Sequence, residues 1–257
     1  MSHRILIVTA VAAEADSVAG GLTDGPARPA GELPVPGGLV LRRYEVPDGR
    51  DGLDGLDVLD VLVGGVGPAA VAAATGAALT RAALAGEPYR LVVSAGIAGG
   101  FPGRAPLGSL VVADAIVAAD LGADTPDGYL PVDELGFGRS VHPVPDALTG
   151  PVAAALAAAG LPHTTGAVLT VSTVTGTAAR ADELAARHPG AAAEAMEGFG
   201  VAEAAAAHGT PVLELRAVSN AVGPRDRAAW RIGDALAALR RAVTVLEPTL
   251  SEARPCS

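Results

Sequence analysis

Hydrophobic and polar residues along the chain group into two kinds of segment. Short, nearly uniformly apolar runs have the length of strands, and longer Ala-rich segments have the length of helices. Strands that are apolar throughout are typical of a sheet that is covered on both faces. Strands are predicted at residues 4–10, 39–46, 57–65, 89–96, 108–119, 166–173 and 211–219. Helices are predicted at residues 68–85, 151–159, 178–187, 195–208 and 227–246.

This alternation of strands and helices predicts an α/β fold in which a mostly parallel sheet lies between helical layers. Pro68 and Pro151 suit the first turn of their helices, where a missing N–H costs nothing. Residues 20–56 are rich in Gly, Pro and Asp, and we expect turns around one or two hairpin strands there, without a domain boundary. We therefore predict a single domain over residues 1–248 and a flexible tail over residues 249–257.

Composition and charge exclude several kinds of partner. The net charge is −10, so the chain lacks the basic face that phosphate backbones require, and we expect no nucleic-acid partner. Cys256 is the single cysteine and the histidines stand at no metal-ligand spacing, so we expect neither a metal nor another cofactor. No apolar run is long enough to span a bilayer, and the first is too short for a signal peptide. We expect a soluble, cytoplasmic protein without membrane contact.

Two of the predicted strands run into glycine-rich turns. In VGGVGPAA (63–70), Gly65, Gly67 and Ala70 fit the G-x-G-x-x-[GA] pattern of dinucleotide-binding turns, which normally occupies the first strand–helix turn of a fold. Free backbone N–H groups at this helix start suit part of a nucleoside or a nicotinamide dinucleotide, unless the turn is merely tight. In SAGIAGG (94–100), the glycines permit close approach of a ligand to the backbone. The candidate ligand contacts there are Ile97, Ala98 and Gly99.

Two carboxylates occupy positions where a charge calls for an explanation. Glu14 follows the first strand and is either an acid stabilised by a helix dipole or a general base at the carboxyl edge of the sheet. Glu197 leads into a helix of small apolar residues, where a charge is costly unless it is paired. Glu194 and Glu203 are expected to be solvated. Asn220, at the end of the last strand, either closes a turn or binds a ligand.

Taken together and in order, these segments resemble the nucleoside phosphorylase/nucleosidase superfamily over residues 4–245. VGGVGPAAVAAATGAAL is similar to its glycine-rich turn and helix, AMEGFGVAEAA to its EMEAAAIA segment, and LRAVSNAVG to its VRAISD segment. SAGIAGGF followed by LGSLVVAD resembles its glycine-rich strand end and GD-V strand, with Ser109 in place of the usual Asp. The resemblance implies a three-layer α/β/α sandwich around a mixed, partly barrel-like sheet, assembled as a homodimer or a larger homo-oligomer.

The resemblance also implies roles for individual residues. Met196 and Glu197 correspond to the pair that binds the ribose. Glu14 corresponds to the acid that activates water in the nucleosidases. Further contacts to the nucleoside are expected at Gly65, Val174, Thr175 and Trp230, with main-chain groups of Val174 and Thr175 serving the base.

The resulting chemistry is coherent. Cleavage of an N-glycosidic bond passes through a cationic ribosyl group, so Glu14 would deprotonate the attacking water while Glu197 holds the sugar hydroxyls. A phosphorylase would need arginine to bind phosphate. No arginine stands between Arg4 and Arg28, and Glu14 would repel an anion. The sequence therefore favours a hydrolase that acts on a small nucleoside, with water as the nucleophile.

Asn220 stands where the nucleosidases for adenine nucleosides carry Asp. An amide group is both donor and acceptor, so its NH₂ can serve O6 or N7 of a 6-oxo purine, which a carboxylate would repel. Among the nucleosidases, the resemblance is then greatest to those that hydrolyse futalosine, an inosine bearing a carboxyphenyl ketone, in menaquinone biosynthesis. Hypoxanthine and dehypoxanthinyl futalosine would be the products.

Two matters stay open on the sequence. Arg225 and Arg227, with Arg139 behind them, are candidates for binding the aryl carboxylate, and a solvated role suits each as well. The alternative functions are a methylthioadenosine/adenosylhomocysteine-type nucleosidase, a purine nucleoside phosphorylase, a nicotinamide-dependent oxidoreductase and a catalytically silent nucleoside-binding protein.

Overall fold

A ten-stranded mixed sheet forms the centre of the molecule. The computed structural model describes residues 3–47 and 56–252. The strands are β1 (Arg4–Thr9), β2 (Arg28–Val35), β3 (Leu39–Pro47), β4 (Leu56–Val63), β5 (Leu91–Gly100), β6 (Leu110–Ala118), β7 (Gly122–Thr125), β8 (Gly128–Pro131), β9 (Val141–Pro143), β10 (His163–Thr170), β11 (Ala191–Ala195) and β12 (Val212–Ala221). The helices are α1 (Ala12–Asp24), α2 (Pro68–Leu84), α3 (Asp146–Ala158), α4 (Ala178–Arg187), α5 (Gly198–Ala207) and α6 (Ile232–Glu252), with a short 3-10 helix at Arg227–Ala229.

Part of the sheet closes into a small barrel. The order around the barrel is β11, β10, β6, β12 and β5. The ring is completed where β5 pairs antiparallel with β11, Gly99 lying opposite Glu194 and Gly100 opposite Ala193. Within the ring, β12 runs parallel to β5 and antiparallel to β6. The expected mixed, partly barrel-like sheet is therefore confirmed.

The remaining strands extend the sheet or form a separate hairpin. β1 lies parallel to both β5 and β4, and β3 and β2 continue outward as an antiparallel hairpin. These two are the hairpin strands expected between residues 20 and 56. β9 pairs with β6, and β7 and β8 form a separate two-stranded hairpin. Strands of three or four residues carry too little hydrophobic periodicity to be predicted from sequence.

Helices cover both faces of this sheet. On one face, Ala15 of α1, Leu156 of α3 and Leu239 of α6 share a hydrophobic core with the strands. On the other face, Val71 of α2 and Val201 of α5 belong to a second core cluster. All six residues of β1 are buried between the layers, as the uniformly apolar run predicted. The three-layer α/β/α arrangement is thus confirmed.

The predicted starts of helices α3 and α5 are wrong, the first for a local reason and the second because of long-range strand pairing. Helix α3 begins at Asp146, whose charge near the helix N-terminus is favourable, so Pro151 lies inside the helix instead of in its first turn. Helix α5 begins only at Gly198, because Ala191–Ala195 pair with β10 as strand β11. An all-alanine and glutamate strand has no β-propensity of its own, and barrel closure alone makes it a strand.

The C-terminal prediction also needs correction. Helix α6 begins at Ile232 and continues past Pro248 to Glu252, so the first part of the predicted tail is helical. Residues 253–257, which include Cys256, lie outside the described residues. Within residues 3–47 and 56–252, no helix combines the length and the apolar character needed to cross a membrane.

Candidate active site

A cavity of about 260 Å³ opens where the carboxyl ends of β1, β5 and β12 meet strand β11. Its walls are predominantly apolar, and carboxylates, a hydroxyl and an amide project from several elements. The cavity brings together most of the predicted site residues, namely Glu14, Ile97, Ala98, Gly99, Val174, Met196, Glu197, Asn220, Arg225 and Trp230. The predicted residues that lie beside the cavity without lining it are Gly65, Thr175 and Arg227.

Glu14 is held rigidly at the start of α1. Its side chain is only 3% exposed. Oε2 accepts hydrogen bonds from the backbone N–H groups of Ala10 (2.9 Å) and Val11 (3.3 Å), and Oε1 accepts one from Ile97 of β5 (2.8 Å). A carboxylate offers about four acceptor sites, so these three bonds leave about one, on Oε1, for a ligand or a water molecule.

Gly96 provides the space that Glu14 needs. A Cβ atom at this position would lie 2.5 Å from Oε1 of Glu14 and 2.7 Å from Nη1 of Arg216. Contacts this short are not tolerated, so any other residue would displace both charged groups. The glycine-rich end of β5 therefore leaves room for the side chains of Arg216 on β12 and Glu14 on α1, in addition to room for a ligand.

Glu197 also lines the cavity and is buried. Oε1 accepts a hydrogen bond from the backbone N–H of Gly67 (3.3 Å), and Oε2 accepts from the N–H of Met196 (3.3 Å) and from Nη1 of Arg216 (3.2 Å). Again about one acceptor site of the carboxylate is left unused. The expectation that this charge is paired agrees with the structure, and its partner is Arg216.

A fully buried ion network stands behind the cavity. Arg216 on β12 is 1% exposed and donates to Glu197, to Oε1 of Glu214 (2.8 Å) and to the hydroxyl of Ser94 (3.2 Å). Burial opposes the charge of Arg216, but the carboxylates of Glu214, Glu197 and Glu14 raise its pKa above the usual value. Burial also raises the pKa of Glu214, whose Oε2 has no hydrogen-bond partner among the described residues. The sequence signal that could have indicated this network is a cation within an apolar strand.

Asn220 has a defined amide orientation. The Ser219 hydroxyl donates to Oδ1 (2.9 Å), and Nδ2 donates to the carbonyl of Ala221 (3.0 Å). Because Nδ2 carries two hydrogens, one donor is left for the cavity. Asn220 lies opposite Gly99 of β5, whose missing side chain leaves room for the amide: a Cβ there would be 3.2 Å from Nδ2.

Glu194 departs from expectation. It is not solvated but 5% exposed, and it lines the cavity from β11. Oε1 accepts the backbone N–H of Thr175 (2.9 Å) and Oε2 accepts the Thr175 hydroxyl (2.5 Å). Burial raises the pKa of Glu194, although the two bonds from Thr175 oppose that shift. Thr175 thus meets the cavity through this carboxylate, and only its neighbour Val174 contributes to the wall.

The glycine-rich turn before α2 serves the Glu197 side of the cavity. Gly65 and Gly67 have φ angles of 91° and 92°, which only glycine adopts readily. The Gly67 N–H that could have bound a pyrophosphate instead donates to Glu197, and Val66 of the same turn lines the cavity. This arrangement favours the interpretation that the turn binds part of a nucleoside over the interpretation that it binds a dinucleotide.

An aromatic and cationic group borders the mouth of the cavity. Trp230 lines it, and the guanidinium carbons of Arg225 and Arg227 lie 5.4 and 5.9 Å from its ring centroid. Arg139, in contrast, lies near Glu203, with Nε 3.6 Å from Oε1, and it does not line the cavity. Among the described residues, no group of three or more His, Cys, Asp and Glu side chains is arranged to hold a metal ion.

Comparisons with known proteins agree with this architecture. Residues 4–252 match the family described as the Phosphorylase superfamily. A futalosine hydrolase of Streptomyces coelicolor is 61% identical over 252 residues, which cover 98% of this chain and 98% of that protein. A futalosine hydrolase of Acidothermus cellulolyticus is 48% identical over 250 residues, 96% of this chain and 91% of that protein.

A solved structure gives the same fold. The native futalosine hydrolase of Helicobacter pylori strain 26695 superposes with a TM-score of 0.77 over 97% of this chain and 99% of that chain, at 17% identity. At this identity the likeness concerns the fold alone. The family match and the two relatives extend over nearly the whole chain, and they show that this chain belongs to the Phosphorylase superfamily.

Proposed function

We propose that this protein hydrolyses the N-glycosidic bond of futalosine and releases hypoxanthine and dehypoxanthinyl futalosine, a step of menaquinone biosynthesis. The observation that carries the proposal is the 61% identity to a futalosine hydrolase over 98% of both chains. The geometry of the cavity supports a hydrolytic reaction on a nucleoside, because Glu14 and Glu197 both line it and each keeps about one acceptor site free.

Glu14 is proposed as the general base. Its position is fixed by three backbone N–H donors, so the remaining acceptor site of Oε1 has one direction in which to hold a water molecule. The water oxygen forms a bond to C1′ of the ribosyl group, and its proton passes to Glu14. The C1′–N9 bond breaks with its electron pair moving to the purine, which takes up a proton from solvent as it leaves, and Glu14 returns its proton to solvent afterwards.

Glu197 and Met196 are proposed to bind the ribose. The free acceptor site on Glu197 suits a ribose hydroxyl, and its negative charge favours the oxocarbenium-like transition state nearby. Arg216 orients this carboxylate through a hydrogen bond and balances its charge. Met196 supplies an apolar contact beside it in the cavity.

Asn220 is proposed to recognise the purine. With one Nδ2 hydrogen donated to Ala221, the amide keeps a second Nδ2–H for the cavity, where O6 and N7 of a 6-oxo purine are acceptors. Hydrogen bonding at N7 also stabilises the electron-rich leaving group. The backbone from Ile97 to Gly99, together with Val174, provides the wall against which the base can lie.

The same cavity is poorly suited to phosphate as a nucleophile. The carboxylates of Glu14, Glu194 and Glu197 line it and would repel an anion. Arg216 is already engaged by two carboxylates and is buried, so it cannot serve as a phosphate ligand.

Arg225 lies beside Trp230 at the mouth, where we propose that it and Arg227 meet the aryl carboxylate of the substrate.

Product analysis tests this proposal. The protein is incubated with futalosine, inosine and methylthioadenosine, each with and without phosphate, and the bases and sugars are separated chromatographically. We expect hypoxanthine and the free hydrolysed sugar from futalosine without phosphate. Release of adenine in preference to hypoxanthine, or a requirement for phosphate, would contradict the proposal and favour the two alternative activities of the superfamily.

We also propose that the protein acts in the cytoplasm as a homodimer or a larger homo-oligomer. Apolar side chains around the mouth of the cavity support association: Val66 is 55% exposed, Val11 41% and Ile232 42%. A single cysteine, which can form no internal disulfide, is in keeping with a reducing compartment. Sedimentation equilibrium and cell fractionation test these points, and a monomer at micromolar concentration would contradict the first.

A further inference from the structure

Glu194 is a third buried carboxylate of the cavity. The activation of water by Glu14 and the binding of ribose by Glu197, as described above, do not use it. It stands on β11 at the point where the barrel closes. Glu194 lies opposite Gly99, and Gly99 lies opposite Asn220 on the next strand. Glu194 and Asn220 therefore lie in one row on either side of a glycine, with their backbones two strand spacings or about 10 Å apart. Both line the same cavity.

The carboxylate of Glu194 has unused acceptor capacity. Each of its oxygens accepts one hydrogen bond, both from Thr175, so about two of its four acceptor sites are left. Within residues 3–47 and 56–252, no ion pair neutralises it. A carboxylate that is 95% buried without a cationic partner requires further hydrogen-bond donors. Since the protein already satisfies the side of Glu194 that faces Thr175, a donor from the ligand is the natural complement on the cavity side.

The side chains of Asn220 and Glu194 together form a donor–acceptor pattern. Asn220 presents a donor and Glu194 presents acceptors. The outer edge of a 6-oxo purine presents acceptors at N7 and O6 and a donor at N1–H. A 6-amino purine keeps the N7 acceptor but reverses the other two groups, because its amino group donates and its N1 is an acceptor. The pair therefore matches a 6-oxo purine at both ends and mismatches a 6-amino purine at N1, where a lone pair would meet the carboxylate.

From this placement we infer that Glu194 accepts the N1–H of the hypoxanthine moiety and is a specificity-determining residue for 6-oxo purine nucleosides. The inference rests on the proposed function for the identity of the base. It adds to Asn220 the discrimination at N1, where a 6-amino purine would leave its N1 lone pair facing a carboxylate. In this interpretation, the two hydrogen bonds from Thr175 fix the rotamer of Glu194.

The conservative variant Glu194→Gln separates recognition from folding. Its Oε1 can accept the Thr175 N–H and its Nε2 can donate to the Thr175 hydroxyl, so the bonds to Thr175 are kept. Toward the cavity, however, the amide offers an acceptor and a donor together and no longer distinguishes N1–H from an N1 lone pair. Glu203→Gln is the matched control, because Glu203 lies on α5, bonded to His142, and does not line the cavity.

Binding of free bases tests the inference independently of turnover. The dissociation constants of hypoxanthine, 1-methylhypoxanthine and adenine are measured by calorimetry for the wild type and both variants. We expect the wild type to prefer hypoxanthine over both other bases. In Glu194→Gln, the preference for hypoxanthine over adenine should fall by about tenfold or more, since an unpaired buried polar group is the basis of the discrimination. Glu203→Gln should behave like the wild type.

Two outcomes would overturn the inference. One is that Glu194→Gln weakens all three bases by the same factor, which is what a purely structural role through Thr175 predicts. The other is that the wild type binds 1-methylhypoxanthine as well as hypoxanthine, which would place N1 away from Glu194. A failure of the proposed function has a different signature: futalosine would not be hydrolysed by the wild type, whatever the preference among free bases.

Discussion

The guanidinium of Arg216 donates to the carboxylate of Glu197 across 3.2 Å, and both side chains are buried. This contact joins the fully buried pair of Arg216 and Glu214 to the wall of the cavity. The charge of Glu197 is therefore balanced from behind by the buried Arg216 of β12, and the ion network is part of both the core and the site.

Replacing Arg216 by Met should destabilise the protein strongly. Glu197 and Glu214 would keep their burial and lose their cation, which costs about 3–5 kcal/mol for a broken buried pair. Urea unfolding followed by circular dichroism measures the loss. The control is Arg240→Met, which removes an exposed ion pair with Asp24. A comparable loss in both variants would contradict the importance of the buried network.

Glu14→Gln should abolish most of the activity with little change in substrate affinity. The amide keeps one acceptor oxygen but cannot take a proton from water, and general base catalysis contributes about 10²–10⁴-fold. Initial rates of hypoxanthine release give kcat and KM separately. Asp16→Asn, in the same helix and exposed, is the control. If Glu14→Gln raised KM and left kcat unchanged, Glu14 would be a binding group instead.

Asn220→Asp should shift the preference from 6-oxo toward 6-amino purine nucleosides. The new carboxylate would face O6 of hypoxanthine without a donor, at about 1–3 kcal/mol for an unsatisfied buried group. The measurement is kcat/KM for futalosine and for its 6-amino analogue. An unchanged ratio of the two would show that Asn220 does not face position 6.

Gly198→Ala should lower both stability and activity. Its Cβ would lie 2.2 Å from Oε2 of Glu214, so the carboxylate and the attached Arg216 would have to move. Such overpacking costs about 1–3 kcal/mol. Gly233→Ala, also in the first turn of a helix but with no atom within 4 Å of the added Cβ, is the control and should lose nothing. Thermal unfolding and the hydrolysis rate report the two effects.

Glu247→Gln should stabilise the protein at neutral pH and not in acid. Burial raises the pKa of Glu247 above its ordinary value of 4.5, so the folded state binds its proton more tightly than the unfolded state does. Stability connected with this group is present below pH 4.5 and decreases as the pH rises through the folded-state pKa. The variant removes that loss, and its advantage in urea unfolding should disappear as the pH falls below 4.5. An advantage independent of pH would contradict the mechanism.

The sequence predicted the fold well where apolar runs and Ala-rich segments were long. It failed at β11, because five residues of Ala and Glu become a strand only through pairing with β10 and β5. The same error explains why Glu194 was expected in solvent, since it would have stood just before a helix at residues 195–208. The burial of Glu194 depends on long-range strand pairing, which no local sequence pattern indicates.

The site residues divide along the same line. Glu14 and Asn220 were chosen because each follows an apolar strand at the carboxyl edge of the sheet, and Glu197 because it leads into an apolar helix. All three line one cavity. The contacts that orient them, such as Gly67 to Glu197 and Ile97 to Glu14, join residues far apart in the chain. Sequence spacing indicates which side chains approach an edge but not which lone pairs stay free.

The pairing of Gly99 with Glu194 has a consequence for how the protein becomes active. The two halves of the base pocket meet only when a late strand of the chain returns to an early one, and contacts of such long sequence separation form slowly. A chain that has built its helices and its outer hairpin but not this closure has no pocket. A nucleoside or purine that binds this pocket stabilises the closed form, so its presence should raise the yield of refolded protein.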